Sequence, residues 1–172
     1  MYPNPNNKIG LPVRKWLTAS GDGLGTYNLI GDYSAAPVDF YFEPTNRFDI
    51  YTLVITVSDN AQFNQIDYGA ITNGLTNGIG FFYKPAGLPE IRILNTANIM
   101  QNLDFFSIIT RAGLTQFAGN PQTLAAVVNI PAEFGLPFTL NAGDRLIVRL
   151  NDNFTSLVSH TFGIKGIDFR VK

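Results

Sequence analysis

His160 is the only histidine in the 172 residues, and Ser156 and Ser159 stand close to it in sequence. An imidazole beside a hydroxyl is the pairing from which a general base activates a nucleophile. The stretch lacks the strained Gly-x-Ser-x-Gly elbow that presents such a serine, and an imidazole at a strand entrance reads as a hydrogen-bonded surface group. The absence of cysteine excludes disulfides, thiolate nucleophiles and thiolate metal sites. A metal would have to be a hard cation held by oxygen ligands. Asn151-Asp152-Asn153 offers such oxygens, but only Asp152 is charged, and Asn and Asp favour turns because their side chains bond nearby backbone. Asp59 and Asp67, flanking Asn60 and Asn64, read the same way. The protein has 13 acidic residues, many of them in turns such as those at Asp22, Asp32, Asp144 and Asp152, which leaves a modest supply for the carboxylate pair of a glycosidase. No metal, cofactor or catalytic residue is expected.

Other motifs fail on context. Gly21, Gly23 and Gly25 suggest a phosphate cradle, yet such a loop should follow a buried strand and open a helix, which this one does not. Asn153-Phe154-Thr155 matches a glycosylation acceptor, relevant only in a secretory pathway. The opening MYPNPNNKIGLPVRKWL has prolines and asparagines where a signal peptide carries its cationic and apolar regions, and no run of about 18 apolar residues follows. Neither a signal peptide nor a membrane span is expected. Charged residues are 15% and the net charge is −1, too little to steer the protein toward nucleic acid or an anionic membrane. Tyr41, Tyr51 and Tyr68 on polar faces would stack on sugars or, more ordinarily, cover sheet surface or fill a subunit contact.

The elements that position these residues are strands. Val38, Phe40 and Phe42 alternate with Asp39, Tyr41 and Glu43, and residues 48 to 58, FDIYTLVITVS, are apolar on both faces after Tyr51, as a strand between two layers requires. Residues 59 to 80 form a long polar connection with Asn73-Gly74 and Asn77-Gly78, and residues 79 to 94 read as a hairpin around Lys84-Pro85-Ala86-Gly87. Further strands are expected at 105–110, 124–130, 138–140, 145–151 and 161–171, with short helical turns at 97–102 and 122–126. This amounts to roughly eight to ten short strands in one all-β domain, an antiparallel sandwich or barrel.

Residues 1–17 have neither strand nor helix period, but Tyr2, Leu11, Val13, Trp16 and Leu17 make them apolar, and Pro3, Pro5 and Pro12 favour an extended path. They are expected to form an N-terminal arm that buries those five side chains against a neighbour, leaving 18–172 as the folded domain.

FTLNAGDRLIVRLNDNFTSL, with Leu157 returning to the core before HTFGIKGIDF, resembles small β-sandwich structural proteins in the virions of tailed bacteriophages. IDYGAITNGLTNGIGFFYK and ILNTANIMQNLDFF strengthen the likeness, which spans about residues 26 to 170. The resemblance implies a jelly-roll-like, non-enzymatic module that decorates or cements the phage head, commonly as a homotrimer, with the major capsid protein and its own copies as partners. The alternative is a carbohydrate- or receptor-binding module of a tail or fibre.

Overall fold

The computed structural model describes residues 8–61, 67–96, 109–116 and 122–171. Among these residues ten strands are present: β1 (Lys8–Trp16), β2 (Val38–Phe42), β3 (Arg47–Asp59), β4 (Ile79–Lys84), β5 (Ile91–Thr96), β6 (Ile109–Gln116), β7 (Gln122–Asn129), β8 (Phe138–Leu140), β9 (Arg145–Leu150) and β10 (Ser159–Val171). Among the described residues one short helix, α1 (Ile130–Phe134), interrupts them.

The strands form two antiparallel sheets. The larger has the order β1-β10-β3-β7-β6, with β8 also on β3; the smaller has the order β2-β9-β4-β5. The pairing nests outer strands around inner ones: β1 with β10, β2 with β9, β3 with β7 and β8, and β4 with β5. This is one long hairpin coiled into two facing sheets, the jelly-roll form of the β-sandwich. β7 covers Thr52 to Asp59 and β8 covers Phe48 to Ile50, so the two are one strand along β3 broken by α1.

The alternation read from sequence sets the inward faces. Phe40 and Phe42 of β2, Ile79 and Phe81 of β4, and Leu146, Val148 and Leu150 of β9 pack against Ile55 and Val57 of β3 and Phe162 and Ile164 of β10. Inward positions on β3 step from Ile50 to Leu53 because Ile50 pairs with Gly166 and Thr52 with Lys165, which leaves Tyr51 as a bulge residue. A side chain on Gly166 would run into the Asp49 carbonyl and the Phe48 ring, so the bulge requires glycine there.

One expectation differs from the structure, and one element was not expected. Residues 122–126, expected as a helical turn, lie in β7, because an inward Val128 and a full ladder to β3 override the helix preference of Ala125 and Ala126. The other helical turn, 97–102, lies outside the described residues. The helix that does form was not expected: the Asn129 side chain accepts from the Ala132 N–H, Pro131 fits the first turn, and Gly135 at φ 74° closes it.

Residues 8–16 run extended, and the surface they lie on is the domain's own β10, paired from Lys8↔Val171 to Trp16↔Gly163. Leu17 and Thr18 follow at 0% and 1% exposure in the core. Lys8 to Leu17 therefore belong to the same packed unit as residues 18 onward. A polypeptide beginning at Lys8 should keep the melting temperature of the full-length protein. One beginning at Thr18 loses a nine-residue strand and a buried leucine, worth about 3 kcal/mol or more, and should lose its cooperative transition in circular dichroism. Equal melting of the two would mean that β1 adds nothing to the fold.

Candidate functional site

His160 opens β10 on its inward side and is 0% exposed, a core residue rather than the surface group expected. Its Nε2 lies 3.1 Å from the Tyr68 hydroxyl, and its ring sits between Phe154 and Phe162, at centroid distances of 4.8 and 4.7 Å. Tyr68 is carried inward by the 67–74 loop, which closes on itself through paired backbone hydrogen bonds between Tyr68 and Ile71. Nδ1 has no hydrogen-bond partner among the described residues. Burial pulls the His160 pKa down to about 3 and pushes that of Tyr68 far above the phenol range, so both are neutral near pH 7. So weak a base cannot draw a proton from a serine hydroxyl, and neither Ser156 nor Ser159 bonds to the ring among the described residues.

The carboxylates that looked like chemistry hold turns. Asp152 accepts from the backbone N–H groups of Thr76, Asn77 and Gly78, the last at 2.9 Å, and so ties the 74–78 turn to the end of β9. Asp144 accepts from Asn141 N–H, Ala86 N–H and the Tyr83 hydroxyl, joining the 141–144 turn to the β4–β5 hairpin. Desolvation opposes its ionisation, but these bonds outweigh it and leave its pKa below the usual carboxylate value. Asp59 accepts from Asn60, Ala61 and Ala70, and Asp67 from Asn73. Asp22 and Asp32 each bond a serine hydroxyl and a backbone N–H, which lowers both pKa values; the Leu24 N–H is the largest cause for Asp22 and the Ser34 hydroxyl for Asp32. Among the described residues no three His, Asp or Glu side chains group as metal ligands. The Asn153 side chain accepts from both the N–H and the hydroxyl of Thr155, a closed turn at the glycosylation-like triplet.

The glycines at 21, 23 and 25 all have positive φ, and Gly21 packs directly on the Tyr41 ring. Thr18 and Tyr41 exchange backbone hydrogen bonds and Gly21 accepts from the Glu43 N–H, so this loop caps the free edge of β2. Beside it lies an open cleft of about 890 Å³, lined among others by Lys15, Asp22, Tyr41, Glu43, Arg145 and Asp168. Within it Arg145 pairs with Glu43 and lies 4.6 Å over the Tyr41 ring, and Arg170 pairs with Asp168. With Gly21 and Arg145 both on its ring, Tyr41 has little face left for a sugar. Tyr51 is partly exposed at the bulge, and Tyr68 is wholly buried.

The five residues expected at an interface separate. Tyr2 lies outside the described residues. Leu11 is 40% exposed on the edge strand, and Val13 packs partly against the core. Trp16 lies between the Arg14 guanidinium, 4.0 Å from its centroid, and the Tyr27 ring at 4.7 Å, while Leu17 is fully buried. Sequence reasoning missed the Tyr68–His160 pair, whose partners are 92 positions apart, although the alternation of Phe162 and Ile164 carried back two residues places His160 on the inward face.

These features define a jelly-roll sandwich in which Asp59, Asp144 and Asp152 bind the protein's own backbone. Among the described residues no helix is long and apolar enough to cross a membrane. Compared with models of known protein families and with curated proteins, the sequence matches none.

His160 makes stability depend on pH. Its pKa is about 3 folded against an ordinary 6.5, so the unfolded state binds a proton that the folded protein resists. Stability is full above the unfolded value and falls below it by up to about 1.4 kcal/mol per pH unit. Calorimetry from pH 7 down to about 5.5, above the range where most carboxylates titrate, should show this loss in the native protein and not in His160→Phe. Parallel curves would assign the acid sensitivity to other groups.

Proposed function

We propose that this protein is a non-enzymatic structural component of a tailed-bacteriophage virion: a capsid decoration protein that stabilises the head through contacts with the major capsid protein and with copies of itself, as a homotrimer. The observation that carries this reading is an exposed apolar hairpin on a domain without catalytic groupings among its described residues. Leu88, Ile91 and Ile93 of the β4–β5 hairpin are 59%, 57% and 44% exposed, more than isolated surface residues need. Ile91 pairs with the core-packed Tyr83, while the outer face of the same sheet is polar and internally paired, with Arg149 bidentate to Asp39 and also bonded to Glu90 above the Phe82 ring. An apolar strip beside a satisfied polar face suits a subunit contact repeated by symmetry. The resemblance of residues 26 to 170 to phage virion proteins supplies the virion itself, and the head as its place.

A second reading, a carbohydrate- or receptor-binding module of a tail or fibre, is favoured by the cleft beside Tyr41, where acids, arginines and Asn46 converge. The covered Tyr41 ring weighs against it.

Antibodies to the protein should label the heads of virions that encode it at many sites per particle. Label confined to the tail would favour the second reading, and unlabelled particles would overturn both. In solution at tens of micromolar, sedimentation velocity should give a trimer that Ile91→Asp with Ile93→Asp converts to monomer at unchanged melting temperature. A native monomer would remove the self-contact from the proposal.

A further inference from the structure

Two Asn-Gly pairs lie four residues apart in one connection, and the structure gives them opposite chemical environments. Asn-Gly is the dipeptide most open to spontaneous deamidation, because glycine leaves the following backbone nitrogen unhindered. That nitrogen loses its proton and attacks the asparagine Cγ. The new N–Cγ bond forms as the bond from Cγ to the amide Nδ2 breaks and ammonia leaves, and water then opens the cyclic imide to aspartate or isoaspartate. The step needs a free nitrogen and an asparagine amide able to swing onto it.

At Asn77-Gly78 both are held. The Gly78 N–H donates to Asp152 Oδ2 at 2.9 Å, and the Asn77 N–H donates to the same carboxylate. The Asn77 side-chain amide donates to the Asn151 carbonyl at 2.6 Å, which pins its Cγ. A carboxylate touching the Gly78 N–H both retains the hydrogen and disfavours the anion that its loss would create. At Asn73-Gly74 nothing comparable is present among the described residues. Asn73 is exposed, its backbone N–H donates to Asp67, and its side chain makes no hydrogen bond among the described residues. It is also the one non-glycine residue at positive φ among them, at 62°, and Gly74 follows at 73°. No hydrogen bond of the Gly74 N–H to a described residue restrains it.

We infer that Asn73 is a site of spontaneous deamidation in the folded protein and that Asp152 protects Asn77 from the same reaction. The product places a second carboxylate beside Asp67, in the loop that carries Tyr68 into the core. The modification would thus act on the cover of the His160 pair, independently of any partner of the protein.

The test is to age the full-length protein at mildly alkaline pH and 37 °C and to follow residues 67 to 84 by peptide mass spectrometry with isoaspartate detection. In the folded protein Asn73 should convert about tenfold or more faster than Asn77, the factor expected of a charge-assisted hydrogen bond. In denaturant the two should convert at similar rates. Asp152→Asn, which keeps the shape and lowers the charge, should speed Asn77 alone. Equal rates in the folded protein would overturn the inference. So would an Asn73 that stays intact when folded yet reacts when unfolded. Should Asp152→Asn not fold, the folded and denatured rates of the native protein still decide.

Discussion

The ladder between β3 and β10 is the constraint on which the larger sheet depends. These two 13-residue strands pair from Ser58↔Ser159 to Arg47↔Phe169, and β1, β7 and β8 each attach to one of them. Their register decides which side chains face inward, because a slip of one residue would turn either Ile55 and Val57 or Phe162 and Ile164 out of the core. The Tyr51 bulge sits inside this ladder and corrects the phase partway along it. Phe48 and Ile50 before the bulge, and Leu53 and Ile55 after it, therefore all reach the same core.

Strand positions were largely legible in the sequence because a half-buried strand writes its burial as period two. Residues 138–140 were expected as a strand and form β8, and the expected 145–151 and 161–171 coincide with β9 and β10 within two residues. β1 was not legible. Pro12 and Gly10 break its pattern, and an edge strand with one face in solvent needs no continuous alternation. Its strand character comes from β10, more than 140 positions away. The Asn-Ile-Pro-Ala-Glu-Phe-Gly helix carries cap signals at both ends, but at five residues it has no room for an apolar period.

The polar residues show the same division between local and distant causes. Asp22 and Asp32 bond backbone two residues on, and Asn153 does the same, so their turn roles follow from their sequence neighbours. Asp152 holds a turn about 75 positions away, and Asp144 reaches the β4–β5 hairpin. Reading them as turn formers was right in kind, yet their partners come from the topology. His160 is the extreme case: whether an imidazole is a surface base or a neutral core group depends on what folds over it, here Tyr68.

The nested pairing also orders events during synthesis. A ribosome makes β1 first, but β1 hydrogen-bonds only to β10 within the sheet, so it has no strand partner until residues 159–171 have emerged. By then β4 and β5, joined by a short turn, can already have paired. Over that interval Leu17 and the inner face of β1 wait without their neighbours, and the last step closes the longest loop in the fold. Translation through residues 159–171 thus sets the earliest time at which β1 can be protected by its strand partner from proteases and from other nascent polypeptides.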